Sequence, residues 1–348
     1  MAILKWATFA LRPLTVAEIA EALAFELRPD GEDLDIEDIE STIQYFGDDY
    51  INTEILEPCA ALIEVRMDKP GDSPGLRTIH IIHASVREFL ISVLPRKRSP
   101  EFDRVSIESE NHGYITTTCL SYISCNDIWI PADSAVKHAF LRYAARCWVM
   151  HVNRAKDSPK IFDHVNEFLR LDNECFSYWA RYLVPPETKA SVKAEADEGG
   201  VAIPLYYAAQ SNFTPTMESI YAEDPSQLDA VGIGLYGSSL QAVCQRGHVA
   251  AFDLLIHWGA DLNVQGGRFG IPLNAAISGG HKNIAKILIQ KGANLELVTP
   301  NGCTPLYMAA TSGDFEIAQC LIQAGANVNG AKHRPLNQAA FKGYVSLA

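Results

Sequence analysis

The chain has 348 residues, enough for two or three domains, and its 48% apolar and 20% charged content are ordinary for globular proteins. No stretch is long and apolar enough to span a membrane, and Arg12 and Pro13 break the apolar start that a signal peptide would need. The net charge of −13 is uneven: residues 1–95 hold 7 Lys and Arg against 18 Asp and Glu, a net of −11, which argues against nucleic acid as the partner of that part.

In chain order, residues 3–11 read as an amphipathic helix. Thr15 and Glu18 form a capping box for a second helix running to about Ala24, with Leu14 and Ile19 as its hydrophobic staple. Asp35 suits the cap of a third helix carrying Ile36, Ile39, Ile43 and Phe46 on one face. Residues 62–67 alternate as a strand, Asp68 to Gly75 is a turn, and residues 77–83 form the return strand. Ser85 and Glu88 spell a second capping box, before a helix of Phe89, Leu90 and Val93.

Three helices, a hairpin and a helix make a winged-helix pattern over residues 1–95. Three segments carry a closer likeness: Leu-Arg-Pro-Leu-Thr-Val-Ala-Glu-Ile-Ala-Glu-Ala-Leu at 11–23, Cys59 ahead of the Leu-Ile-Glu-Val strand, and His-Ala-Ser-Val-Arg-Glu-Phe-Leu at 83–90. They resemble the GPI inositol-deacylase-type winged helix that follows the NACHT nucleotide-binding module in fungal-type STAND proteins. The resemblance implies a regulatory lid on a nucleotide switch, with the nucleotide module encoded upstream if the full gene has one.

Residues 96–184 read as a helical spacer, with a polar start at Arg96 to Arg98 and helices at about 113–124, 134–155 and 161–183. Phe140, Tyr143, Ala144, Cys147 and Trp148 lie at helical spacing, as do Phe168, Leu169, Phe176, Trp179 and Leu183, so they read as core rather than a cofactor box. The segment 140–148 resembles the spacer of the same family. A linker at 185–200, with Pro185 and Pro186, closes this region.

The remainder, 201–348, repeats. Gly-Ala pairs at 259, 292 and 325 stand 33 residues apart. Ahead of them lie Ser238-Ser239-Leu240-Gln241-Ala242, Ile271-Pro272-Leu273-Asn274-Ala275-Ala276 and Thr304-Pro305-Leu306-Tyr307-Met308-Ala309-Ala310. Thr304 can cap a helix, Pro305 suits its first position, and Gly313 can end it in the left-handed region. Ile317, Leu321 and Ile322 are expected to face the core from a second helix. The pattern resembles the ankyrin repeat, which implies a stacked solenoid and a protein-binding concave face. A degenerate first repeat starts at Ile203-Pro204-Leu205, and a fifth opens at Arg334-Pro335-Leu336 and stops at Ala348, as in a truncated gene product. Truncating Met217 in the first repeat is expected to cost less than truncating Leu288 or Leu321.

Several motifs invite chemistry. Gly232-Ile233-Gly234-Leu235-Tyr236-Gly237 matches a dinucleotide fingerprint, but a loop precedes it where a strand is needed, so it reads as a hairpin loop. His80 and His83 fall on opposite faces of a strand, and no Cys and His cluster has zinc spacing. There is no Gly-x-Ser-x-Gly elbow and no Gly-Lys dipeptide, hence no hydrolase nucleophile and no Walker loop. The eight cysteines lack paired spacing and read as reduced thiols of a cytosolic or nuclear protein, the cytoplasm being the expected location.

The expected fold is mostly α: winged helix, helical spacer and ankyrin solenoid. The expected function is a non-catalytic adaptor or sensor with no cofactor, no metal, no nucleic acid and no membrane. Its partner-binding residues would be Gln245, Arg246, Arg268, Phe269, Ser278, Met308, Thr311, Ser312, Phe341 and Lys342 on the concave face, with Phe269 either the anchor of a lengthened hairpin tip or a ring folded back onto its own repeat. Two alternatives stand beside it: an enzyme subunit with a site in the helical middle, and a winged helix that binds nucleic acid.

Overall fold

The computed structural model describes residues 2–26, 50–59, 62–69, 73–88, 90–91, 108–129, 138–155, 159–184 and 201–329. The helix expected at Asp35 to Phe46 and the fifth repeat lie outside these residues. The chain forms two compact units, Met1–Phe168 and Leu169–Ala348.

In the first unit, α1 (Ala2–Phe9) leads to β1 (Leu14–Thr15) and α2 (Val16–Glu26). The capping box is present: the Thr15 amide donates to Glu18 Oε2 at 2.8 Å and the Glu18 amide to Thr15 Oγ1 at 3.2 Å. A single π-turn spans Ile51–Leu56. β2 (Ile63–Arg66) and β3 (Thr78–Ile81) are antiparallel, and β1 pairs with the other edge of β3, giving the order β1-β3-β2. The hairpin was legible; β1 was not, because two residues are too few to show alternation.

The helix α3 (Ala84–Glu88) starts one residue before the predicted cap. Ser85 lies inside it, and His83 caps it instead, its Nδ1 accepting from the Ser85 amide at 3.1 Å. The unit continues with α4 (Glu108–Ile123), α5 (Leu141–Arg154) and α6 (Pro159–Phe168). These helices share one aromatic core with the winged-helix segment. Trp6 meets Phe140 edge-on at 5.4 Å, Tyr122 meets Phe140 at 5.0 Å, and all three rings are buried.

The second unit opens with α7 (Glu174–Leu183). The long helix expected over 161–183 is therefore two. Asn173 starts the second, its Oδ1 accepting from the amides of Cys175 at 3.0 Å and Phe176 at 3.4 Å. Four helix pairs follow: α8 (Pro204–Gln210) with α9 (Thr214–Glu223), α10 (Ser239–Arg246) with α11 (Val249–His257), α12 (Pro272–Gly279) with α13 (Lys282–Gln290), and α14 (Pro305–Ser312) with α15 (Phe315–Gln323). Thr304 Oγ1 accepts from the Tyr307 amide at 3.2 Å, and Gly313 closes α14 at φ 74°.

Each repeat buries a narrow strip and stacks on the next. In the fourth, Leu306, Ala309, Ala310, Ile317 and Leu321 are buried. Ile322 is not; it is 45% exposed. It sits one residue, about 100° of helix, past Leu321, and the strip formed by Ile317, Ala318 and Leu321 leaves it outside. Small polar bridges join successive repeats at their loops: Asp229 Oδ1 accepts from the Asp261 amide at 2.9 Å, Asn263 Oδ1 from the Asn294 amide at 2.7 Å, and Glu296 Oε1 from the Asn327 amide at 2.8 Å. The first repeat is covered by α7, whose Phe176 and Trp179 pack on Tyr207 at ring distances of 5.5 and 5.1 Å.

Candidate functional site

Two places concentrate polar side chains. The first is the interior of the first unit. The acidic helix α2 turns two carboxylates inward: Glu18 and Glu21 are buried. Glu18 pairs with Arg12 at 2.5 Å. Glu21 accepts from Tyr122 Oη at 2.5 Å and from the Phe140 amide at 2.9 Å, and lies 3.2 Å from His138 Nδ1. At the end of α2, Glu26 accepts from Trp6 Nε1 at 3.1 Å, from Thr118 Oγ1 at 3.3 Å and from the Tyr114 hydroxyl. Burial raises the Glu26 carboxyl, and those hydrogen bonds oppose the rise. Part of the acidity of residues 1–95 is thus spent in packing, not on a solvated face.

Beside it runs a chain of polar contacts. The Leu11 amide donates to Tyr143 Oη at 3.0 Å, Tyr143 Oη lies 2.7 Å from His151 Nε2, and His151 Nδ1 lies 2.8 Å from His112 Nδ1. Burial, then His112 and Arg154, lowers His151 to about 3, so it is neutral at pH 7. Tyr143 then donates to His151 Nε2, and His151 Nδ1–H to His112 Nδ1. The hydroxyl and three of the four ring nitrogens of this buried row are bonded to one another, as in a packing device.

This chain gives a pH expectation. A histidine depressed on folding contributes stability in full above its unfolded value of about 6.5, and loses it as pH falls through that value towards the folded one. By pH 4.5 the loss at His151 should reach about 2–3 kcal/mol, at about 1.4 kcal/mol per unit. Urea unfolding of His151→Gln at pH 7 and 4.5 should show a pH difference smaller by that amount than in the parent protein. An equal difference would show that His151 takes up its proton without unfolding.

The second place is in the repeat unit. A cavity of about 840 Å³ is lined by Tyr206, Tyr207, Gln210, Tyr236, Arg246 and Arg268 among others. The glycine loop 232–237 forms one wall. Its glycines have local reasons: a Cβ at Gly234 would come within 2.2 Å of the Tyr206 ring, and Gly237 has φ +92°. Four of its six amides are bonded within the unit. Gly232 donates to the Gly237 carbonyl at 3.4 Å, Ile233 to Val201 at 3.3 Å, and Gly237 to Gly234 at 3.1 Å. The Tyr236 amide donates to Tyr206 Oη at 3.2 Å. The loop is a hairpin tip, as its register indicates.

The opposite wall is the lengthened tip at 265–270, pinned by Gln241. This buried side chain donates through Nε2 to the Gly266 carbonyl at 2.9 Å and the Gly270 carbonyl at 2.8 Å, while its Oε1 accepts from the Ser238 amide at 2.7 Å. Gln241 stands three residues after the cap Ser238, as Tyr307 stands after Thr304, a signal the sequence offered for a residue that it did not single out.

Of the predicted contact residues, Arg246 and Arg268 line this cavity. Phe269 corrects an expectation: it is 8% exposed, stacked on Tyr236 at 6.0 Å, and so buttresses the tip and does not project from it. An aromatic side chain at a lengthened tip has a neighbouring tip to pack on, and burial wins. Gln245, Ser278 and Thr311 recur at one helical position of successive repeats; Ser278 is exposed and the other two half-buried. Ser312 is exposed and Met308 half-buried. None of these lines the cavity. Thr311 and Ser312 hydroxyls donate to their own helix, to Tyr307 O at 2.8 Å and Ala309 O at 3.0 Å. Phe341 and Lys342 lie outside the described residues. His248 and His281 are structural, each Nε2 lying 3.1 Å from a carbonyl of the preceding repeat unit, Gln210 and Gln245 respectively. His80 and His83 do not converge: His80 Nε2 contacts Thr78 Oγ1 at 2.8 Å, and His83 caps α3.

No curated protein matches the chain. Two family models do match parts of it. Residues 240–332 match the family of ankyrin repeats, in 3 copies. Residues 1–103 match the winged helix domain of GPI inositol-deacylase. The protein therefore combines a winged-helix-type domain with ankyrin repeats in a mostly helical chain, and ankyrin repeats are in general surfaces for binding other proteins.

Proposed function

We propose that this chain is a non-catalytic adaptor: the ankyrin array recognises a protein partner, and the winged-helix unit is the regulatory element of a NACHT-type nucleotide switch. The observation that carries the binding role is the register of the array. Positions 245, 278 and 311 repeat along stacked first helices, so a single surface is built from several repeats and exceeds what one unit offers. The regulatory role rests on the likeness of residues 1–103 to the deacylase-type winged helix, and on an interior in which α2, α4 and α5 lock together through Glu21. A lid of this kind transmits movement as a body.

The absence of a Gly-Lys dipeptide supports a chain that neither binds nor hydrolyses nucleotide by itself. Calorimetric titration with ATP and with GTP at millimolar ligand should give no saturable heat. Micromolar affinity for either would sink the non-catalytic reading. The binding role is tested on its own: Ser278→Arg and Thr311→Arg should weaken a partner by tenfold or more while leaving the melting temperature unchanged. A partner indifferent to both would use another face.

A further inference from the structure

The cavity between the two hairpin tips has a chemistry of its own. Arg246 and Arg268 are both exposed, and neither has an ion pair with any described residue. Lys282 and Lys286 of the same repeats differ in being paired across repeats with Asp314 and Glu316. Aromatic rings hold the two guanidiniums. Arg246 lies over Tyr236 at 5.7 Å, Tyr236 stacks on Phe269, and Arg268 lies over Phe269 at 5.2 Å. Among the described residues no carboxylate lines the cavity, whose remaining wall is largely apolar and aromatic.

We propose that this cavity is a docking site for an acidic peptide segment of a partner protein, with one or two carboxylates on Arg246 and Arg268 and a flanking aliphatic or aromatic side chain against Tyr206 and Tyr207. It deepens the adaptor reading and rests on it. The stacked column sets both guanidiniums over aromatic faces, and a planar fork matches a carboxylate through two parallel hydrogen bonds. Guanidiniums also pair with phosphate, but a dianion's extra oxygens are commonly met by convergent backbone amides as well. The amides of Gly232, Ile233, Tyr236 and Gly237 are already committed within the unit. With four of its six amides committed, the glycine loop serves as a wall, and the two guanidiniums are left as the charged donors of the cavity.

The test is selection of displayed random peptides on the full chain, followed by fluorescence anisotropy of a selected peptide against variants. Sequences with Asp or Glu next to a large apolar residue should be enriched. Arg246→Gln and Arg268→Gln should each weaken binding tenfold or more, Arg246→Lys should restore only part of it, and raising the salt should weaken the parent complex. Circular dichroism of each variant should match the parent, since both side chains are at the surface. Selected peptides without acidic residues, or binding unchanged in both glutamine variants, would overturn the proposal. If those same peptides are lost with Thr311→Arg, the array still binds protein through its concave face and only this cavity has been misassigned. If neither set of changes matters, the adaptor reading falls with it. Preference for a phosphorylated peptide over its carboxylate counterpart would also overturn the assignment.

Discussion

Glu21→Ala should destabilise the first unit by about 3–5 kcal/mol. The substitution strips an acceptor from three buried groups at once: the Tyr122 hydroxyl, the Phe140 amide and His138. A buried donor left without a partner costs about 1–3 kcal/mol, and the loss of one member of a buried polar cluster commonly reaches 3–5 kcal/mol. Glu21→Gln keeps an acceptor oxygen and the packing volume, so it should cost less, about 1–2 kcal/mol. Urea unfolding followed at the far-ultraviolet helix signal ranks the two. If alanine and glutamine cost the same, the charge and not the hydrogen-bond count governs the site. If alanine costs under about 1 kcal/mol, solvent enters the cluster and satisfies the donors.

The second large effect lies in the repeat core. Leu288→Ala, Leu321→Ala and Met217→Ala should each cost about 2–5 kcal/mol, through lost burial and the cavity left behind. The sequence led us to expect a smaller cost at Met217, because its repeat departs from the pattern. All three side chains are fully buried, and the first repeat is closed on its outer side by Phe176 and Trp179. Irregular sequence there does not mean loose packing. Phe269→Ala belongs with this group, because the ring supports both Tyr236 and Arg268. Thermal melts of the four single variants decide. A Met217 variant that melts within a degree of the parent would restore the weaker first repeat, and the same result for Phe269 would return it to the binding surface.

What was legible in the sequence was whatever repeats or caps locally. The Thr15–Glu18 box, the Thr304 cap and the Gly313 stop depend on residues within four positions of each other, and each appears where it was expected. The array follows from its period. What was hidden depends on distant partners. β1 exists because Leu14 and Thr15 meet Ile79 and Thr78 across the sheet. Glu21 looks like an exposed helix residue until α4 and α5 close over it. The candidate cavity was half visible: Arg246 and Arg268 were named, but the rings that orient them were read as a loop and an anchor. His83 rather than Ser85 caps α3, because a histidine ring nitrogen can serve as a cap acceptor as well as a hydroxyl can.

The break between α6 and α7 has a practical reach. The solenoid carries its own end plate: α7 belongs with the repeats, not with the helices before it in sequence. A gene fragment cut at the proline-rich linker, where the repeats begin by pattern, would leave the Tyr207 ring and its neighbours facing water. One cut just after Phe168 keeps the plate. Any attempt to measure binding by the array in isolation turns on that choice, since a bare aromatic end can itself gather proteins and imitate recognition.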